Sequence, residues 1–188
     1  MIKTALLAFG LILSAVSARA AEGGELWSAL RDGGVVAMVR HARAPGTGDP
    51  AGFRLGDCAS QRNLDAAGRS QAVALGARFR QERVPVTEVR SSRWCRAFDT
   101  AALAFPEVGL TPDSALDSFF GEREAGPGQT DSVRALVAGW RDRNTALLLV
   151  THQVNITALT GVYPAEGEVV VLRGTAAGVV TVLGRLKP

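Results

Sequence analysis

Two short apolar runs, each ending in a histidine, constrain this chain more than any other feature. Residues 35–39 are apolar at every position and lead directly into Arg40 and His41. Residues 146–151 repeat the pattern and lead into His152, and the sequence holds no third histidine. Such runs are typical of strands buried on both faces of a parallel sheet, where ligands bind just beyond the carboxyl ends. We therefore expect both histidines at one sheet edge, in a site that Arg40 suits to an anion.

The rest of the pattern alternates strands with helices. Apolar spacing and turn residues predict helices at 25–31, 64–82, 94–105 and 132–143, and a short helix that ends near Gly161. Further strands are predicted at 84–90 and around 115–119, and residues 168–172 and 179–186 form a terminal hairpin. Asp65 is the expected cap of the second helix, and Thr130 or Asp131 of the fourth. This alternation predicts an α/β fold with helices on both faces of a largely parallel sheet.

The first 20 residues have the composition of a secretory signal peptide. One early lysine precedes an apolar core of about a dozen residues, too short for a membrane span of roughly 20. A small-x-small site at residues 18–20 follows, so we predict a single mature domain at 21–188 that is periplasmic or secreted, without a stable membrane anchor. Removing Lys3 and Arg19 lowers the net charge from +3 to +1, which does not indicate nucleic-acid binding.

Cys58 and Cys95 are the two cysteines of the chain. In an exported protein an even pair predicts a disulfide. The alternative is a metal site built from both cysteines and both histidines, but their spacing matches no zinc pattern. We expect neither a metal nor another cofactor.

The polar residues expected at the sheet edge are suited to phosphoryl transfer. Arg40 and Arg96 offer guanidinium groups for phosphate oxygens, and Arg96 lies in the first turn of its helix. A histidine can act as the nucleophile, and a carboxylic acid, Glu122 or Glu124, can protonate the departing oxygen.

Five blocks of this sequence resemble the histidine phosphatase (phosphoglycerate mutase-like) superfamily. Residues 38–42, Met-Val-Arg-His-Ala, are similar to its Arg-His-Gly signature. The other blocks follow in family order, at residues 63–72, 91–101, 120–126 and 150–153. The resemblance implies a three-layer αβα sandwich with a mostly parallel central sheet and a minimal cap.

The resemblance also implies roles for individual residues. His41 would be the phosphorylated nucleophile, and Glu122 rather than Glu124 matches the acid by its spacing to Gly126. The phosphate pocket would be lined by Arg40, Arg96 and His152. Its rim would include Arg43 and Thr47.

Three positions depart from the family pattern. Ala42 replaces the usual glycine, Arg93 replaces a proline, and no asparagine in the loop after His41 matches the family's.

The small exported branch of the family resembles the lipopolysaccharide core heptose phosphatase. The expected function is therefore an exported, metal-independent phosphomonoesterase that acts on a small phosphorylated substrate such as an envelope phosphosugar, through a phosphohistidine. A protein phosphohistidine phosphatase and a non-catalytic envelope binding protein for phosphorylated ligands are the alternatives. The natural substrate and the oligomeric state stay open.

Overall fold

The computed structural model describes residues 23–187, so the predicted signal peptide lies outside the described residues. The helices are α1 (Gly23–Asp32), α2 (Ala66–Gln81), α3 (Cys95–Ala104), α4 (Gly126–Gly139) and α5 (Gln153–Thr160). The strands are β1 (Val35–Arg40), β2 (Val86–Ser91), β3 (Leu110–Pro112), β4 (Ala146–Thr151), β5 (Val169–Gly174) and β6 (Val180–Leu186).

The six strands form one sheet in the order β3-β2-β4-β1-β5-β6. β4 lies between β2 and β1 and is parallel to both, and β3 continues the parallel half. The terminal hairpin adds β5 antiparallel to β1, and β6 antiparallel to β5. The predicted α/β fold with a mostly parallel central sheet is confirmed.

Helices cover both faces of the sheet, because the side chains of each strand alternate between two cores. One core joins α1, α2 and α3 to Val35, Ala37 and Val39 of β1. The other joins α4 and α5 to Val36 and Met38 of the same strand. This explains why β1 and β4 are apolar at every position except the last: they are central strands that bury both faces.

Two predicted elements are wrong. Residues 115–119 contain no strand, and the chain instead adds β3 at Leu110–Pro112 and then makes a short 3₁₀ turn at Ser114–Leu116. The fourth helix begins at Gly126 rather than Ser132, and neither Thr130 nor Asp131 caps it. Pro127 does not break the helix, because the first-turn N–H groups have no intrahelical partner to lose. Asp65 caps α2 as predicted, accepting a 2.7 Å hydrogen bond from the Gly68 N–H.

The loop between β1 and α2 is tied to α3 by a disulfide between Cys58 and Cys95, as predicted. Between residues 23 and 187, no helix has the length and apolar character required to cross a membrane.

Candidate active site

The two histidines and the end of β2 meet at the carboxyl edge of the sheet. The His41 N–H donates to the Thr151 carbonyl at 2.9 Å, and the Ser92 N–H donates to the Val150 carbonyl at 2.9 Å. These bonds continue the sheet ladders beyond the strand ends and hold His41, His152 and Ser92 side by side. The two imidazole rings lie 5.4 Å apart between centroids.

His41 is held as a neutral imidazole with a defined tautomer. Its Nδ1 lies 2.8 Å from the carbonyl oxygen of Ala42, which can only accept, so Nδ1 carries the proton and Nε2 keeps its lone pair. Burial lowers the pKa of His41 from 6.5 to about 3, and the positive charges of Arg96, Arg62 and Arg40 act in the same direction. The ring therefore presents an unprotonated nitrogen at neutral pH.

His152 has one bound and one unbound ring nitrogen. Its Nε2 lies 2.8 Å from the Ser92 hydroxyl, while its Nδ1 is buried without a hydrogen-bond partner among the described residues. The Ser92 hydroxyl is also 3.3 Å from an oxygen of the buried Asp117 carboxylate. Burial, followed by the proximity of His41 and the arginines, holds the pKa of His152 well below its usual value.

Three arginines surround the histidines. Arg40 is held by the Pro164 carbonyl at 3.1 Å and by Glu166 at 3.6 Å. Arg96 is buried, and Arg62 approaches closely enough to lower the pKa of His41 and His152. The Nε groups of Arg40 and Arg96 are buried and unpartnered, as is His152 Nδ1. Unpaired buried N–H donors are costly, so the two guanidinium Nε groups suit an oxyanion that would accept from them.

Asp49 binds Arg96, the most buried of these arginines. Its two oxygens accept from Arg96 Nη1 at 2.8 Å and Nη2 at 3.2 Å. The same carboxylate accepts from Trp94 Nε1 at 3.0 Å and from the Arg62 backbone N–H at 3.2 Å. Burial alone would raise the pKa of Asp49, but the hydrogen bonds and charge of Arg96 outweigh it and lower the pKa. An ionised Asp49 thus fixes the guanidinium and leaves Nε directed elsewhere.

A cavity of about 450 Å³, here called the central cavity, opens over these groups. Of the residues predicted for the site, it is lined by His41, His152, Arg40, Arg96, Thr47 and Glu122. Arg43 does not join them, because its guanidinium is exposed and paired with Asp65 at 3.1 Å. Glu124 does not line this cavity, whereas Glu122 does.

The sequence reasoning missed Asp49 and Arg62, and also the aromatic wall formed by Phe53 and Trp94. These two rings stack at 5.0 Å with an interplanar angle of 18°. The available signal was the long loop at residues 42–63, since such loops after a site residue are commonly functional. Nothing in its spacing indicated which of its residues would turn inward.

The comparison with protein families agrees with this arrangement of residues. Residues 36–147 match the family model described as "Histidine phosphatase superfamily (branch 1)". No curated protein sequence matches this chain.

Solved structures share the fold at low sequence identity. The protein histidine phosphatase SixA, complexed with tungstate, aligns with a TM-score of 0.61 and 15% identity over 82% of this chain and 97% of its own. A mycobacterial glucosyl-3-phosphoglycerate phosphatase aligns with a TM-score of 0.57 and 18% identity over 79% and 96%. Bacillus stearothermophilus YhfR aligns with a TM-score of 0.55 and 17% identity over 79% and 94%.

Proposed function

Because the chain belongs to the histidine phosphatase superfamily, we propose that it is an exported phosphomonoesterase that hydrolyses a phosphosugar or a similar phosphate ester through a phosphohistidine. The observation that carries the proposal is the state of His41. Its Nδ1–H is bound to the Ala42 carbonyl, so its neutral ring offers Nε2 to an anion held by three arginines.

In the first step, His41 Nε2 attacks phosphorus in line with the leaving oxygen. The N–P bond forms as the P–O bond breaks, while Arg40, Arg96 and His152 stabilise the equatorial oxygens. Glu122 gives its proton to the leaving oxygen, so the alcohol departs neutral.

In the second step, water attacks the phosphoryl group of the intermediate. Its proton passes to the Glu122 carboxylate, the N–P bond breaks, and the electron pair returns to His41 Nε2. Inorganic phosphate then leaves. Because arginines bind the charged phosphoryl oxygens in both steps, we expect turnover to continue in the presence of a chelator.

Two observations support the phosphosugar assignment, and two others support the export. Aromatic and polar groups line the central cavity together, as sites for polyhydroxy rings do, and a structural neighbour carries the name of a phosphatase of a glucosylated phosphate. The amino-terminal pattern of the sequence and the Cys58–Cys95 disulfide fit an oxidising compartment.

The named neighbour SixA favours a second candidate, a protein phosphohistidine phosphatase. Such a substrate loses an imidazole rather than an alkoxide, so it has less need of an acid at Glu122.

The test uses the purified mature protein with para-nitrophenyl phosphate, with and without a chelator, beside His41→Ala. We expect hydrolysis that survives chelation and falls at least about 10³-fold in His41→Ala. Detection of phosphorylated His41 by mass spectrometry under non-acidic conditions would identify the intermediate.

Glu122→Gln tests the acid, with Glu124→Gln as its matched control. Loss should be small on para-nitrophenyl phosphate, whose leaving group is good, and larger on glucose 6-phosphate; Glu124→Gln should change neither. Equal losses on both esters would contradict the assignment of Glu122.

Absence of turnover in the parent protein on every ester and on a phosphohistidine peptide, with tight phosphate binding, would establish the binding-protein alternative.

A further inference from the structure

A second cavity of about 470 Å³ adjoins the central cavity on the side of Glu122. We call it the outer cavity. It shares Phe53, Trp94, Ser118 and Glu122 with the central cavity. The stacked aromatic pair and the carboxylate therefore form the boundary between the two spaces rather than a closed end.

The direction of the proposed reaction points the leaving group toward this boundary. The phosphoryl group is confined by His41 and the arginines at the sheet edge, and the leaving oxygen must face the acid. Glu122 lines both cavities, so a leaving group larger than one ring extends past it into the outer cavity.

The charges of the outer cavity distinguish it from the phosphate end. Its charged residues are Arg93, Asp117 and Glu122. Arg93 is already bound to Asp117, with Nε at 2.7 Å and the backbone N–H at 2.8 Å from its two oxygens. The outer cavity therefore has no unpaired cation among its lining residues that could bind a second phosphate or an acidic segment.

The uncharged lining suits a neutral polyhydroxy ring. Phe53, Leu55 and Trp94 supply apolar surface, and Ser114 and Gln129 supply a hydroxyl and an amide group. Ser132 also lines the cavity, but its hydroxyl is bound within α4. Ligand sites commonly combine an apolar wall with a few polar groups that fix orientation, at volumes of about 300–1,000 Å³.

From this we propose that the outer cavity binds a second sugar ring, so that the preferred substrate is a phosphorylated oligosaccharide rather than a monosaccharide phosphate. This inference rests on the proposed phosphatase function and adds the length of the substrate to it.

Ser132 offers a way to close the outer cavity without touching the site of reaction. It is exposed on α4, and its hydroxyl donates to the Gly128 carbonyl of its own helix at 2.9 Å. Ser70 is a matched control, because it is exposed on α2 and donates to the Ala66 carbonyl at 3.1 Å in the same way, outside both cavities. Ser132→Trp fills the outer cavity, and Ser70→Trp places the same ring elsewhere.

The experiment measures kcat/KM on para-nitrophenyl phosphate, glucose 6-phosphate and trehalose 6-phosphate, the last being glucose 6-phosphate with one further glucose. We expect the parent to prefer trehalose 6-phosphate by about fivefold or more, the effect of one well-packed ring contact. Ser132→Trp should bring the ratio of the two sugar esters close to one and leave para-nitrophenyl phosphate unchanged, whereas Ser70→Trp should keep the parent ratio.

Three outcomes would overturn the proposal: equal kcat/KM on both sugar esters in the parent, an unchanged ratio in Ser132→Trp, or turnover of the aryl ester alone. Loss of turnover on all three esters in the parent would instead refute the phosphatase function, and with it the role of this cavity.

Discussion

The Ser92 hydroxyl has one proton and two acceptors within reach. If that proton goes to Asp117, then His152 Nε2 must donate to Ser92, and a neutral His152 presents a bare lone pair at Nδ1. If the proton goes to His152 Nε2, then Nδ1 carries a hydrogen toward the site. In the proposed reaction a phosphoryl oxygen would select the second arrangement because it needs a donor. We therefore expect Ser92 to act as a positioning residue for His152.

Ser92→Ala tests this role. We expect kcat/KM to fall about tenfold and the inhibition constant of phosphate to rise similarly, the effect of roughly one hydrogen bond to a charged group. Ser91→Ala is the matched control, because Ser91, the last residue of β2 and the neighbour of Ser92, is equally buried and its hydroxyl has no partner among the described residues. Steady-state kinetics and phosphate inhibition of both variants measure the effect. Equal losses in Ser91→Ala and Ser92→Ala would contradict the positioning role of Ser92.

Among the elements, the loop between β1 and α2 is held by side-chain hydrogen bonds of Asp49 and by the disulfide. Apart from a 3₁₀ turn at Cys58–Ser60 it has no regular structure, yet it supplies Thr47, Asp49 and Phe53 to the central cavity. The disulfide holds its far end against the first residue of α3, next to Arg96. The loop and the helix that carries Arg96 therefore act as one unit.

Replacing both cysteines with serine should loosen this unit. A disulfide that joins two residues at a sequence separation of 37 is worth roughly 3 to 4 kcal/mol by the loop-entropy relation, so the melting temperature should fall clearly. KM should rise more than kcat falls, because Thr47 and Asp49 lose their anchored positions while His41 stays on the sheet. Thermal denaturation and steady-state kinetics, repeated on the parent protein under reductant, measure both effects. Unchanged melting and kinetics would contradict the coupling.

The packing of α2 on α3 depends on one glycine. A Cβ added at Gly76 would lie only 1.8 Å from the Ala104 carbonyl oxygen and 2.8 Å from its Cα, so the two helices would have to separate. We expect Gly76→Ala to lower the free energy of unfolding by about 1 to 3 kcal/mol. Gly139→Ala, where nothing lies within 4 Å, should instead raise it by about 0.5 kcal/mol. Chemical denaturation of both variants gives the sign of each change.

On the scale of the whole molecule, the buried histidines make stability depend on pH. The folded pKa of His41, about 3, lies below its ordinary value of 6.5, and that of His152 is lowered in the same direction by burial. In the pH range between the folded and unfolded values, the unfolded chain binds protons that the folded chain does not. Stability is therefore complete above about pH 6.5 and is lost as the pH falls.

Denaturant unfolding between pH 7 and pH 5 should show this loss. Each histidine contributes a slope of up to about 1.4 kcal/mol per pH unit once the pH is well below 6.5. Lowered carboxylate pKa values, such as that of Asp49, act below about pH 4 and do not enter this range. The double variant His41→Gln, His152→Asn should have a free energy of unfolding that changes less with pH in this range. A pH dependence as steep as that of the parent would contradict its assignment to the two histidines.

The α/β class, the central strands and the terminal hairpin could be predicted from the sequence because they rest on local pattern. A run such as β1 or β4 can bury both faces only inside a sheet, and strand ends that carry Arg40, His41 and His152 necessarily meet at one edge. The Asp65 cap and the left-handed Gly161 end of α5 are equally local. The start of α4 was not predicted, since its first turn carries a proline and glycines that are common in loops as well.

By itself, then, the sequence determined which strands are central and which two histidines share an edge, because burial and alternation act over a few residues. Only the tertiary structure decided that Asp49 pairs with Arg96, that Arg62 and Ser92 join the site, and that Arg43 stays outside it. The contacts of Asp49, Arg62 and Ser92 join positions 34 to 60 residues apart in the sequence. The exclusion of Arg43 depends on the direction of its side chain. Such choices follow from how the loop closes over the sheet, where burial and hydrogen bonding select one partner from several that the sequence leaves equivalent.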